Sequence, residues 1–413
     1  MSKNKQTLLQ KETSVSHHKI WMVFILGALT AFGPLSMDMY LPGLPGVVDD
    51  FKTSASIAQL TVTATLIGLG IGQLVFGPVS DMVGRKRPLQ IMLTIYAIVS
   101  ILAVFTPYIW LFVGLRFLQG FSGAAGMVIA RASSRDMYTG KDLTKFVSML
   151  ATVNGAAPIL APLAGGVILN FAMWRFVFVA LFIIGVVMLL LVTFTLPETL
   201  PEHERENGGV LETVKSFKLL LKDKGFVGIS LTQAFTRTSM YAYIAGSPFV
   251  LQKIYEITPF QFSIIFAANG VGLILAAQFT GKLSAKFSEV QLLKWGVIIT
   301  FAGGLLLLAA VLFSLPIWIL VPALFLVVFS VGNVNTTCFS LGLQQQEKMA
   351  GSASAFLGIL PFLGGGIASP LVGIAGEYSA VPLGIVIFIG STLAFIVYYV
   401  LVKPYAKDPE ADQ

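Results

Sequence analysis

Three ionisable side chains, Asp38, Arg116 and Arg237, fall inside long apolar runs of a 413-residue chain. A charge at the centre of a bilayer costs at least roughly 2.5–3.5 kcal/mol on insertion scales, so such residues face a cavity or a partner. Of 20 acidic residues, only Asp38 sits well inside an apolar run. A lone carboxyl there suits reversible protonation; the alternative is an ion pair at a helix end. Asp38 lies four residues before Pro42, roughly 6 Å below the outer end of its segment at 1.5 Å per residue. Arg116 lies six residues after Trp110, roughly 9 Å below the same face. At similar depth, Arg116 can pair with Asp38 and favour its ionised form, while loss of water opposes it. That balance decides whether Asp38 exchanges protons near neutral pH.

Arg237 is deeper, 11 residues into its run, or about 17 Å. No carboxylate in the second half of the apolar sequence stands ready to neutralise it. Either it bonds backbone carbonyls or snorkels, or it lines a cavity and meets an acidic or strongly polar part of a bound molecule. Asn154, Asn269, Asn333 and Asn335 are candidate donors to such a cavity or glue between helices. Tyr241, Tyr243, Phe356 and Phe362 are candidate aromatic walls or ordinary packing.

Composition says what must hold these residues. Apolar residues make up 56% of the chain and charged residues 11%, with a mean hydropathy of +0.84. A soluble domain carries roughly 25% charged residues because its surface faces water. The solvent here is therefore lipid, which excludes a cytosolic enzyme, a secreted domain and a nucleic-acid binder. The lone Cys338 cannot form an internal disulfide, and His17, His18 and His203 lie in polar segments without metal-ligand spacing. No metal or cofactor is expected. The run from Ile20 is too long for a signal-peptide core and reads as the first span.

At roughly 20 apolar residues per span, twelve helices are predicted. They are Ile20–Tyr40, Ile57–Phe76, Pro88–Phe105, Trp110–Ala132, Phe146–Leu169 and Phe176–Thr195, then Phe226–Leu251, Phe260–Phe279, Val290–Leu312, Pro316–Cys338, Ser352–Gly373 and Val381–Leu401. The formal charge of +7 is a topology signal. Of 27 Lys and Arg, three (Lys52, Arg175, Lys253) fall in one set of loops, Arg116 and Arg237 fall well inside spans, and the other 22 fall in the opposite loops and the helix ends beside them. The positive-inside rule then makes both termini cytoplasmic. The chain divides into a tail (1–19), a six-helix bundle (20–196), a linker (197–225), a second six-helix bundle (226–402) and a tail (403–413). In the linker, Val210, Val214, Phe217 and Leu221 recur at helical spacing. That pattern predicts an amphipathic helix on the inner membrane surface; a solvated linker is the alternative.

Two short matches suggest duplication. Gly77-Pro-Val-Ser80 resembles Gly281-Lys-Leu-Ser284, and Pro162-Leu-Ala-Gly165 resembles Pro370-Leu-Val-Gly373, at nearly the same offset of about half the chain. A 6+6 repeat suits a transporter with its site between two bundles near the midplane.

The string Gly77-Pro-Val-Ser-Asp81-Met-Val-Gly84-Arg85-Lys86-Arg87-Pro88, placed in the turn between spans two and three, resembles the signature loop of the major facilitator superfamily. The resemblance implies that the acidic and basic residues of this loop form a charge relay at the cytoplasmic interface of the two halves, with Gly77, Asp81, Gly84 and Arg85 as gating residues. Arg116-Phe-Leu-Gln119-Gly120 and Pro158-Ile-Leu-Ala-Pro162-Leu-Ala-Gly165-Gly166 resemble motifs of the drug:proton antiporters of that superfamily. Ala157 and Ala161 stand where glycine is usual. The resemblance links Arg116 to proton transfer and Pro158, Pro162, Gly165 and Gly166 to conformational change. Leu196-Pro-Glu198-Thr199 is also similar. Leu35-Ser-Met-Asp38-Met-Tyr40-Leu-Pro42, with Gly246-Ser-Pro248-Phe249 and Gly351-Ser-Ala-Ser-Ala355, resembles the bicyclomycin/chloramphenicol-resistance branch. Where some broad-specificity relatives carry a second acid, this chain has Thr30.

The expectation is an all-α, twelve-span membrane protein of the major facilitator fold in two pseudo-symmetric bundles. It implies a proton-coupled antiporter, monomeric and lodged in a bacterial inner membrane, exporting small drug-like molecules. Its partners are the small-molecule substrate, protons and membrane lipids, without nucleic acid. Export of an endogenous polar or anionic metabolite, such as a metallophore, is the second reading. A membrane receptor or enzyme is the reading from another class, but neither paired acids nor His-rich ligands supply a catalytic constellation.

Overall fold

The computed structural model describes residues 21–205, 210–346 and 349–404. The expected tail 1–19 and most of 403–413 lie outside the described residues. The first span breaks in two, with α1 (Trp21–Thr30) and the stretch Phe32–Phe51 bent by 46° at Ala31. That stretch comprises α2 (Phe32–Asp38), a 3₁₀ turn (Leu41–Gly43) and α3 (Leu44–Phe51). The expected end near Tyr40 is therefore a continuation. Pro42 and Pro45 sit in the first turns of the 3₁₀ segment and α3, where their missing N–H costs nothing. Asp38 consequently lies 13 residues before Phe51, about 20 Å from that end, and not just beneath it.

The first half continues with α4 (Ala55–Val83), α5 (Lys86–Phe105), α6 (Ile109–Met137), α7 (Gly140–Phe171) and α8 (Arg175–Thr195). Helix α4 runs on past Phe76, so Gly77–Asp81 forms its last turns and the turn itself is Gly84–Arg85. Tyr40, Phe112, Trp174 and Phe178 close the core of this half, with ring centroids 5.2–6.3 Å apart.

The second half comprises α10 (Lys224–Phe249), α11 (Pro259–Leu283), α12 (Glu289–Leu312), α13 (Ile317–Gln345), α14 (Ala350–Val372) and α15 (Val381–Val397). Among the described residues ten helices are long and apolar enough to cross a membrane, and the bent first pair makes eleven. The expected seventh span, α10, completes twelve but falls short in apolarity. It carries Ser230, Thr232, Gln233, Thr236 and Ser239 among its buried residues, with Arg237 beside them. A helix surrounded by protein needs no uniformly apolar surface, because its polar groups can bond internally.

The expected linker helix is present as α9 (Val210–Leu220); the side chains of Val210 and Val214 lie outside the description. Its packing face is Phe217, whose ring meets Phe356 at 5.2 Å, and the fully buried Leu220. Leu221, expected on that face, is 55% exposed. Helix α9 therefore docks on α14.

The halves meet where α4 packs along α14 and α7 along α11. Ser56 Oγ donates to the Pro370 carbonyl (2.8 Å), Thr63 Oγ1 to Gly366 (3.1 Å) and Gln59 Nε2 to Ala245 (3.1 Å). At the end remote from Arg85–Arg87, Lys253 Nζ joins Asp49 of the first half (3.3 Å) and Glu377 of its own half (3.4 Å). Gln252 Nε2 donates to the Pro42 carbonyl at 3.1 Å. Among the described residues no ion pair crosses the seam at the basic end. The protein is closed at the face remote from its basic loops.

Candidate functional site

Asp38 ends α2 and is 4% exposed. Its Oδ1 is buried without a hydrogen-bond partner in the protein, and it forms no ion pair among the described residues. Its charge is within range of Tyr241 and Tyr243 of α10, so the carboxyl faces the second half across the seam. The expected pairing with Arg116 is absent. Ser36, two residues earlier, turns its Oγ to the Tyr96 hydroxyl at 2.8 Å, inside the first half. Residues two apart on a helix differ by about 200° in direction, which carries Asp38 away from that core.

Arg116, fully buried, belongs to the core instead. Its Nη1 donates to the Ser36 carbonyl (2.8 Å) and to Gln119 Oε1, and Gln119 Nε2 donates to Ser100 Oγ (2.8 Å). The guanidinium lies 4.7 Å from the Tyr40 ring centroid and 5.4 Å from that of Phe178. Cation–π attraction of this kind strengthens when water is excluded. Equal depth gave no information about direction around the bundle.

Arg237, on α10, bonds within the second half. Its Nη2 donates to Asn335 Oδ1 (3.1 Å) and its Nη1 makes a long contact to the Tyr241 hydroxyl (3.4 Å). Asn335 Oδ1 also accepts from Gln233 Nε2 at 2.7 Å. Tyr241 stacks on Phe362, with centroids 5.8 Å apart. The other amides separate clearly. Asn269 is buried and donates to the Tyr243 hydroxyl (2.8 Å), so it positions that ring. Asn333 faces Gly296 of α12, where a Cβ would strike its Oδ1, and so it fills a helix contact. Asn154, half-buried on α7, keeps an unpartnered Oδ1.

At the basic face, Arg85 gathers more partners than its motif announces. It bonds Asp81 (2.5 Å), Ser80 (2.8 Å) and Asp136 (2.9 and 3.3 Å). Glu198 accepts from the backbone N–H groups of Arg85 (2.8 Å), Lys86 (3.1 Å) and Leu200 (3.1 Å), which caps the start of α5. Gly84 has φ +96°, and a Cβ there would strike the Glu198 carboxylate. Among the described residues every partner of Arg85 lies in the first half, so no relay from Arg85 crosses the seam there. The sequence reading missed Asp136 and the capping role of Glu198.

Partial burial opposes the ionised form of Glu198, but the three N–H bonds and Arg205 outweigh it and hold the carboxyl below its ordinary range. Its contribution to stability is therefore present at neutral pH and lost as pH falls through the depressed value. Glu198→Gln is expected to lower stability by about 1 kcal/mol near neutral pH, the scale of a helix-terminus interaction. Melting curves of both proteins should converge at acid pH, below the depressed value, once the wild-type carboxyl is protonated too. A gap that persists at acid pH would assign the effect to shape.

Helix α7 touches both halves through adjacent residues. A Cβ on Gly165 would strike the Met39 carbonyl, and one on Gly166 would strike Ser263 of α11. Pro158 and Pro162 lie inside the same helix.

A solvent-shielded carboxyl and a polar arginine cluster between two six-helix bundles define a multi-pass membrane transporter. The chain belongs to the Major Facilitator Superfamily, which matches residues 26–369. It is 41% identical over 387 residues to the MFS-type transporter YdgK of Bacillus subtilis (strain 168), covering 93% of this chain and 96% of that one. It is 29% identical over 401 residues to a bicyclomycin resistance protein homolog of Haemophilus influenzae, covering 95% and 99%. The nucleoside transporter NupG has the same fold, at a TM-score of 0.75 and 14% identity over 94% of this chain and all of that one.

Proposed function

We propose that this transporter exports small drug-like molecules in exchange for protons. The observation that carries the reading is Asp38, a shielded carboxyl without a cation partner, turned towards the other half of the protein. Loading and unloading a proton there changes the cost of keeping the seam closed, since an unpaired buried charge is expensive and a neutral acid is not. The name of the Haemophilus influenzae relative, a bicyclomycin resistance protein homolog, supports an antibiotic-like cargo. Bodies 20–196 and 226–402 rock as units, the basic loops face the cytoplasm with both termini, and the described state is open inward. The protein works as a monomer in a bacterial inner membrane.

The test is growth of an efflux-deficient bacterial host against amphenicols, bicyclomycin and organic acids. Expression should raise tolerance to at least one class several-fold, and an uncoupler should remove the associated efflux from energised cells. Unchanged tolerance across the panel, with no pH-driven movement of any compound in vesicles, would reject the reading.

A further inference from the structure

Lys253, just past α10, is one cation shared between the two halves. Its Nζ lies 3.3 Å from Asp49 of the first half and 3.4 Å from Glu377 of its own half. Asp49 sits on an anchored support. Asp50, the next residue, accepts from Trp174 Nε1 (3.2 Å) and Arg175 Nε (3.0 Å), and Arg175 Nη1 donates to the Val104 and Thr106 carbonyls (2.8 and 3.0 Å). Adjacent acids at the end of α3 thus point to different bodies: Asp50 ties α3 to the first half, and Asp49 reaches the second.

The second half meets them from two sides. Gln252, beside Lys253, donates to the Pro42 carbonyl at 3.1 Å, so the turn after α10 grips the continuation of the first span at two points. Gly373 lies so close to the start of α4 that a Cβ there would sit 2.7 Å from the Ser56 backbone N. That approach brings the segment carrying Glu377, four residues on, to the same edge of the seam.

The two acids act on closure in opposite senses. When the face remote from the basic loops opens, Asp49 leaves with the first half, while Glu377 stays beside Lys253. Attraction between Lys253 and Asp49 therefore favours the closed face alone. Glu377 competes for the same ammonium and, with both carboxylates touching one Nζ, repels Asp49 across the seam. Opening ends that repulsion and leaves Glu377 with the whole of the lysine charge.

We propose that Lys253 is a latch handed between the two acids, in which Asp49 closes the remote face and Glu377 releases it. This role presupposes the transport cycle proposed above and sets the balance between its two states. Ion pairs this near to solvent are weak, so each acid shifts the balance by about two- to fivefold and not by orders of magnitude. A weak latch suits a face that must open in every cycle.

The test follows opening through a cysteine in the seam. Thr63, eight residues into α4, donates to the Gly366 carbonyl of the other half at 3.1 Å and is 9% exposed. Thr63→Cys is therefore shielded while the face is closed, and the buried Cys338 adds little competing reaction. A membrane-impermeant maleimide is applied at the remote face of the full-length protein in oriented proteoliposomes. Its labelling rate follows the open population when closing outpaces labelling. On that background Asp49→Asn should raise the rate about two- to fivefold, and Glu377→Gln should lower it by about the same factor. Lys253→Gln should raise it at least as much as Asp49→Asn, and Lys253→Arg should keep it near the parent value. High salt should raise the parent rate by screening the pair and leave that of Asp49→Asn unchanged, a readout that needs no further substitution. A shift in the same direction for both acid variants, or in neither, would overturn the latch. Failure of the transporter reading itself would look different, because the parent protein would then move no compound in response to a pH gradient.

Discussion

Asp38→Asn is expected to lower pH-driven uphill transport in proteoliposomes by about two orders of magnitude, the scale on which a positioned proton-transfer group matters. The reason is its isolation. Oδ1 has no partner in the protein, and no arginine neutralises the group among the described residues. A proton is therefore the species that can balance it when the seam is shut. Asparagine preserves the shape of the neutral acid while removing the titration, so substrate exchange down its own gradient should persist.

Stability supplies an independent control on the same variant. An unpaired charge buried at the seam is costly, and asparagine removes that cost, so the variant should melt at or above the parent temperature at neutral pH. Arg116→Gln should behave in the opposite way. It removes the donor to the Ser36 carbonyl and the cation over Tyr40 from a fully buried site, so instability should accompany any transport defect. Normal pH-driven accumulation by the Asp38→Asn protein would end the proton assignment.

The contrast between those two residues marks how far sequence could be read. Depth along a helix follows from a count of residues, and the count put Asp38 and Arg116 near one level. Direction around the bundle depends on which helices are neighbours, which no count supplies. The same ambiguity separates Asn333 from Asn335. Two positions apart on one helix, they face about 200° away from each other, one into Gly296 and the other onto Arg237. The twelve spans were legible because hydropathy is summed over many residues. Helix α10 kept its place despite a polar composition because the surrounding polar segments marked its ends. The break in the first span was half legible. Leu41-Pro-Gly-Leu-Pro45 reads as an end, and only the tertiary structure shows that each proline opens another helical segment. The Arg85 partners Asp136 and Glu198 escaped because they come from positions 51 and 113 residues away.

Gly165 and Gly166, neighbours on α7, should respond to alanine in opposite ways. At Gly165 a new Cβ would press on the Met39 carbonyl and lie 2.9 Å from its carbon. That obstacle is backbone, one residue from Asp38, and it cannot rotate aside. Gly165→Ala should therefore lower thermal stability by at least about 1–3 kcal/mol, the usual cost of overpacking, and abolish transport together with the proper setting of Asp38. At Gly166 the obstacle belongs to the other half. The Cβ would press on Ser263 Oγ and approach its Cβ to 2.9 Å and the Phe260 Cα to 3.3 Å. These contacts exist while the halves are closed at the face remote from the basic loops, and they vanish when that face opens. A penalty of about 1–3 kcal/mol on one state alone moves the equilibrium by about 5- to 150-fold. Alanine also favours the helix by about 1 kcal/mol over glycine, so Gly166→Ala should stay well folded while populating the alternative state. Spin labels at Met173 and Tyr378, both exposed at that face on opposite halves, would report it, and the buried Cys338 leaves little competing reaction. A longer Met173–Tyr378 distance should appear in Gly166→Ala. The same distance distribution as the parent, with unaltered transport, would mean that α7 and α11 do not separate there during the cycle.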